Sequence, residues 1–275
     1  MEAAGRIRAL TALLIAGAMT VGAHTLDDGR SDRDRVTERF LEQARVVARE
    51  PVGEGITRPL RLTLALAGET RHAIFKTIDE RRGGPTLDLD SHRIVTDFSD
   101  SWRYEVAAYR LDRAVGFGLV PVTVERRVDG VQGSLQEWVE ECGTFRRLVD
   151  SGHLEIRGDE ELLLRRLTWM YVLDELIANA DRNYDNILVD PRTDRFALID
   201  HSRAFRLRHE VAPPTLPEPR PLSARIADRI RRLDRSAIEG LVGDLLTSPQ
   251  IDALANRRDA LLGVLEARGL LPPPD

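Results

Sequence analysis

The chain has 275 residues, 42% hydrophobic and 31% charged, enough for one large domain or two small lobes around a sizeable core. Its formal charge is −5, its isoelectric point is ≈ 5.8 and it carries no basic block, which excludes a nucleic-acid or anionic-membrane binder that works by bulk charge. A single cysteine, Cys142, excludes an intrachain disulfide framework and a cysteine-rich zinc site.

The 40 basic residues are all arginine except Lys76. A chain-wide preference for arginine says little about function. The exception says more, because a compact ammonium held against a phosphate is not replaced by a wide planar guanidinium. One surviving lysine is also what chance leaves, so its neighbours decide.

Arg6 and Arg8 precede an apolar run from Ala9 to Ala23 that ends Val21-Gly22-Ala23. A basic start, a short apolar run and a small-x-small ending predict an export signal over residues 1–23, cleaved after Ala23 or kept as an anchor. The run is short for a transmembrane helix, which needs about 20 residues. The alternatives are a buried N-terminal helix and a cytoplasmic chain.

Val36, Phe40, Ala44 and Val47 predict an amphipathic helix to Arg49, broken by the Glu50–Gly55 segment. Arg61–Leu66 and Ala73–Ile78 read as a hairpin turning at Ala67–Thr70, with Lys76 near its far end. Asp79–Leu89, with Gly83-Gly84-Pro85, reads as a polar loop. A helix begins near Ser101, shows Tyr104, Ala107, Ala108, Leu111 and Val115 on its apolar face, and ends at Gly116 and Gly118. Val120–Arg126 and Gly130–Val139 read as further strands of the same sheet, and Glu160–Ala178 as a long helix. A Pro-rich linker over 212–221 and two helices, Ser223–Leu246 and Pro249–Arg268, close the chain. Strands early and helices late predict a two-lobed α+β protein. Its parts are an N-terminal helix (24–50), an antiparallel sheet lobe (51–134) and a mainly helical lobe (135–275).

The densest chemistry follows the long helix. Three of the chain's four asparagines fall in Asn179–Asp190, which also holds Asp181. Ile187-Leu188-Val189 and Ala197-Leu198-Ile199 flank a loop, and a ladder symmetric about Thr193 would set Asn186 opposite Asp200. Opposed residues on one face lie about 5 Å apart at Cβ, close enough for an amide oxygen and a carboxylate to share a hard cation. Asp181, just before, would accept a hydroxyl proton beside that cation. Base, Asn ligand and Asp ligand are the parts of kinase phosphoryl transfer. A strand-end lysine and a glutamate, Glu105, on the next helix precede them in the order that transfer uses.

These residues resemble the phosphatidylinositol 3-/4-kinase-like superfamily of atypical kinases. Asp181-Arg182-x-x-x-Asn186 and Ile199-Asp200 look like its catalytic and metal-binding loops. Ala73-Ile74-Phe75-Lys76 and Tyr104–Leu111 look more like its secretory-pathway (Golgi) branch, which an export signal suits. The resemblance covers residues 52–205. It implies a protein-kinase-like fold, ATP with Mg²⁺ or Mn²⁺, and transfer to a hydroxyl acceptor on protein, glycan or lipid. Lys76 would contact the phosphates, Glu105 would pair with Lys76 or the metal, Asp181 would be the base, and Asn186 and Asp200 would be metal ligands. Gly133–Glu140, including Gln136 and Glu137, would be the hinge that meets adenine.

The departures keep two other readings open: a pseudokinase that binds nucleotide without turnover, and a nucleotidyl transferase. No G-x-G-x-x-G is present, and Gly53-x-Gly55 is the one candidate phosphate loop. His-Ser rather than Phe-Gly follows Asp200. No basic or hydrophobic element marks a lipid substrate. Ser134 and Ser202 lack a histidine partner visible in the sequence, His201 reads as structural, and Arg229, Arg231, Arg232 and Arg235 read as solvated surface.

Overall fold

The computed structural model describes residues 28–53, 59–88, 93–152, 159–179, 181–190, 192–193, 195–216 and 218–273. The segment read as an export signal lies outside these, as does Gly55. Among the described residues no helix is long and apolar enough to cross a membrane.

Helix α1 (Asp32–Gln43) opens on a reciprocal cap: the Ser31 hydroxyl accepts from the Asp34 N–H, and the Asp34 carboxylate accepts from the Ser31 N–H. It stops short of the predicted end at Arg49. Ala44 turns extended, and Arg45–Pro51 pairs with the next strand as β1, with a bulge between Val46 and Ala48. Pairing and the β-branched Val46-Val47 pair outweigh the helical spacing there. The sheet lobe therefore begins at Arg45 rather than at residue 51.

β2 (Leu60–Leu66) and β3 (Glu69–Lys76) form the predicted hairpin through Ala67-Gly68, both at positive φ. The segment read as a polar loop is instead strand β4 (Asp79–Asp88), paired with β5 (Arg93–Ser101) in a separate two-stranded arm. Gly83-Gly84-Pro85 falls in the bulge of that ladder, so the turn-forming residues mark an irregularity rather than a loop.

Helix α2 (Trp102–Val115) is capped by Ser101 at its start, and by Gly116 in the left-handed region (φ 93°) at its end. β6 (Thr123–Val128) and β7 (Val131–Glu137) complete a five-stranded antiparallel sheet of order β1-β2-β3-β7-β6. β7 runs through residues 134 and 135, so the lobe boundary lies after Glu137. One face of α2 buries Ala107 and Leu111 with Leu62, Leu64, Phe75 and Leu135. α2 also contacts the helical lobe, which fixes Glu105 between the two halves.

The second lobe holds β8 (Gly143–Thr144), α3 (Phe145–Asp150), α4 (Glu160–Leu176), β9 (Ile187–Val189) and β10 (Phe196–Leu198). Its sheet has the order β10-β9-β8. Ser223–Leu246, read as one helix, is two: α5 (Ala224–Arg231) and α6 (Arg235–Val242). Asp234 restarts the helix by accepting from the Ala237 N–H at 2.8 Å. α7 (Ser248–Ala267) closes the lobe.

The Pro-rich segment is a strap rather than a free linker. Tyr171 donates to the Ala212 carbonyl at 2.6 Å, and the Arg220 N–H donates to Thr168 at 2.9 Å, both on α4. Nor is every arginine of the α5 stretch solvated surface: Arg229 donates to the Arg113 and Ala114 carbonyls at the end of α2, and Arg231 to the Pro272 carbonyl.

Candidate functional site

Lys76 ends β3 opposite Ser134 of β7. Beside them Gly133 has no room for a side chain, since a Cβ there would lie 2.2 Å from the Lys76 carbonyl. The Lys76 ammonium donates to Glu105 Oε1 at 2.5 Å and to Asp200 Oδ1 at 2.8 Å. Burial opposes its charge, but Glu105 and Asp200 outweigh burial and hold Lys76 above the ordinary lysine range. Burial likewise opposes the Glu105 carboxylate, which is 1% exposed, and Lys76 with His201 holds it well below the ordinary range.

Asp200 reaches Lys76 by leaving its ladder. The observed register sets Leu198 opposite Ile187 and Phe196 opposite Val189, which centres the hairpin between Arg192 and Thr193. Asn186 therefore faces Ile199, whose N–H donates to the Asn186 carbonyl at 3.1 Å, and the expected opposition of Asn186 and Asp200 is corrected. The reason is turn geometry: the connection runs from Asp190 to Arg195, closed by Asp190 N–H to the Arg195 carbonyl. Asp200 then takes a left-handed backbone (φ 60°), as do Ala178 (φ 51°) and Phe205 (φ 59°) close by. Such residues cluster where a fold aims side chains at a shared space.

Asp181 and Asn186 sit on one loop. The Asp181 N–H donates to Asn179 Oδ1 at 3.3 Å, and the Asn186 side-chain amide donates to the Asp181 carbonyl at 3.1 Å. That bond uses the amide nitrogen of Asn186, so its amide oxygen is the atom that could meet a cation. Asp200 and Asp181 keep 42% and 38% of their side chains exposed, so both reach solvent.

The loop is organised by a residue to which the sequence assigned no role. Arg182 grips both oxygens of Asp174 at 2.9 and 3.0 Å, and donates to the Asn186 and Ile199 carbonyls at 2.9 and 2.8 Å. It also donates to His201 Nε2 at 3.0 Å. A guanidinium only donates, so His201 carries its proton on Nδ1, 3.5 Å from Glu105 Oε2. The His201 N–H donates to the same oxygen at 3.1 Å. His201 thus takes the structural part expected of it, joining the loop to α2.

The other expected nucleotide contacts are placed as follows. The register of β1, β2 and β3 puts Gly53, just past β1, at the same end of the sheet as Lys76. Gln136 is buried within the sheet and donates to Thr123 at 2.9 Å. The Glu137 carboxylate accepts from Arg33 at 2.6 Å. Gly133–Glu137 belongs to β7, so the crossing between lobes begins at Trp138, whose N–H donates to the His72 carbonyl. The Gln136 and Glu137 side chains are therefore both engaged within the N-terminal lobe.

Two further charged residues line the site without a sequence signal. Asp100, at the end of β5, is buried, and burial pushes its carboxyl above the ordinary range against the pull of Ser202 and Arg203. Arg203 stands between Asp100 and Asp181. Asp100 fell at the far end of a segment without periodicity, and Arg203 looked like one arginine among many.

Asn186 and Asp200 supply hard oxygen donors of the kind Mg²⁺ or Mn²⁺ takes, and such ions complete their shells with water and phosphate oxygens. The residues present fit the ion on that ground. Among the described residues no three His, Cys, Asp or Glu side chains converge into a cage. A lysine locked to a helix glutamate, under a loop carrying an aspartate and an asparagine, at the junction of a sheet lobe and a helical lobe, defines a two-lobed kinase-like protein.

Solved structures bear this out for the fold. The chain is similar to hydra Fam20, solved with sugar, at a TM-score of 0.60 and 15% identity, over 88% of this chain and 93% of that one. It is similar to the Helicobacter pylori proinflammatory kinase CtkA at a TM-score of 0.51 and 12% identity, over 83% and 96%. No family model matches the sequence, and no curated protein does.

Proposed function

We propose that the chain is an ATP- and divalent-metal-dependent phosphotransferase, which moves the γ-phosphoryl group to a hydroxyl acceptor on protein, glycan or lipid. The observation that carries this reading is the Lys76–Glu105–Asp200 cluster, 2.5 and 2.8 Å across, beside the Asp181–Asn186 loop. Lys76, held by Glu105, would bind phosphate oxygens. Asp181 would orient the acceptor hydroxyl and take its proton. Asn186 and Asp200 would hold Mg²⁺ or Mn²⁺, which supplies charge neutralisation on the phosphates. The spacing of Asp181, Asn186 and Asp200 supports a place among the phosphatidylinositol 3-/4-kinase-like kinases, nearest the secretory branch.

The experiment is transfer of label from γ-labelled ATP by the purified chain with Mg²⁺ or Mn²⁺. Asp181→Ala is expected to lower turnover roughly 10²–10⁴-fold while nucleotide binding persists. Unchanged turnover in that variant sinks the reading. Label arriving from α-labelled ATP instead supports nucleotidyl transfer. The absence of a G-x-G-x-x-G favours the pseudokinase reading, for which metal-dependent nucleotide binding without any transfer is the signature.

The apolar run and Ala23 ending support export, and cleavage there precedes every described element. A mature N-terminus at His24 in secreted or periplasmic material is the expected result.

A further inference from the structure

Transfer spreads negative charge over the oxygens of the moving phosphoryl group, and among the described residues of the loop that carries the base the one cation, Arg182, faces away from it. Arg182 is turned inward onto Asp174 and the backbone. Lys76 is bound to Glu105 and Asp200. The cation that faces the base is Arg203. Its Nη1 lies 3.8 Å from Asp181 Oδ2 and its Nε 3.5 Å from Asp100 Oδ2, with the guanidinium 5.4 Å from the centre of the Phe98 ring.

This is not a mobile surface arginine. Its side chain is 11% exposed, and its turn is pinned by the Ser101 N–H donating to the Ser202 carbonyl at 2.8 Å and by the Ala204 N–H donating to the His201 carbonyl. Arg203 and Asp181 form an ion pair at 3.8 Å, longer than a hydrogen bond. A planar guanidinium held beside a carboxylate base can offer N–H donors to a phosphoryl group that binds alongside the pair.

We propose that Arg203 is a catalytic residue whose guanidinium contacts the oxygens of the phosphoryl group in flight, an assignment that rests on the phosphotransferase reading. In that step the acceptor oxygen bonds to phosphorus and its proton passes to Asp181. The bond from phosphorus to the β,γ-bridging oxygen breaks, and its electron pair leaves with ADP. Arg203 makes and breaks no covalent bond and offsets charge on the equatorial oxygens.

The test uses the full chain with Mg²⁺, ADP and aluminium fluoride, which together mimic the transferring group. Wild type is expected to bind ADP roughly 100-fold more tightly with the fluoride than without it. Arg203→Gln is expected to lose most of that gain while binding ADP alone within about twofold of wild type. Arg203→Lys keeps the charge toward Asp100 and is expected to recover part of the gain, which preserves a folded variant should the glutamine lose its fold. In parallel, γ-label transfer by Arg203→Gln is expected to fall roughly 10³-fold with KM for ATP unchanged. An equal fluoride gain in wild type and Arg203→Gln overturns the proposal, as does no gain in wild type. Wild type that shows an Arg203-dependent gain but transfers no label upholds the contact and overturns turnover alone.

Discussion

Two clusters of buried charge hang on helix α2, and they differ in a way that separates architecture from chemistry. In the outer cluster, at the helix's C-terminal end, Arg113 binds Asp112 and, at 3.2 Å, Asp34 of α1, while Tyr109 donates to Glu38 at 2.8 Å. Asp112 also accepts from the Leu119 and Val120 N–H groups at 3.0 and 3.3 Å, so it meets only protein. In the inner cluster, at the helix's first turn, Glu105 and Lys76 form an equally tight pair, but their third member, Asp200, is 42% exposed to solvent. Burial and charge occur in both places. The open edge is what distinguishes a site from a strut.

The outer cluster offers the largest expected effect. Arg113→Met leaves Asp34 and Asp112 enclosed without their cation, and breaking a buried pair from one side costs roughly 3–5 kcal/mol. Chemical denaturation is expected to show that loss, with nucleotide affinity retained by the folded fraction. A loss under about 1 kcal/mol would break the comparison, because the outer cluster would then be as dispensable as a surface pair.

The inner cluster, probed by a substitution that keeps its charge, is expected to respond in activity more than in stability. Lys76→Arg keeps the charge, but a planar guanidinium does not fit a point between Glu105 and Asp200 at 2.5 and 2.8 Å. Turnover is expected to fall roughly 10²-fold, the scale of losing one preorganised contact to a reacting phosphate, with little change in melting temperature. Intact turnover would remove Lys76 from the phosphate site.

Both clusters were unequally legible in the sequence. β2, β3 and α2 follow from alternation, helical spacing and caps, because each has an apolar face. Lys76 was legible as the single lysine, and the Asp181 loop by its asparagines. β4 and β5 were not, since Asp79–Asp88 lacks an apolar face and its glycines sit in a bulge. The register of the Asp200 hairpin missed by one residue because an intervening loop length is not a turn geometry. Asp100, Arg182 and Arg203 were illegible for a different reason: they are held by partners distant in sequence, and 39 arginines give no hint which are enclosed. The outer cluster was invisible as a cluster, because Asp34 and Arg113 meet only when α1 packs on α2.

Acid supplies the finest contrast. Glu105 has its carboxyl held below the ordinary value of 4.5, chiefly by Lys76 acting against burial. A group whose folded pKa is depressed releases its proton more readily when folded, so its contribution is fully present above the unfolded value and is lost as pH falls through the folded one. Wild-type melting temperature is therefore expected to fall on acidification below 4.5. Glu105→Gln cannot titrate there, and its melting temperature is expected to follow a flatter acid limb from a lower starting point. Asp112 has the opposite sign, since burial raises its carboxyl, and removing it as Asp112→Asn is expected to steepen the same limb. Parallel acid limbs in the two variants would mean that α2 senses both clusters alike, and that the open edge at Asp200 carries no electrostatic distinction.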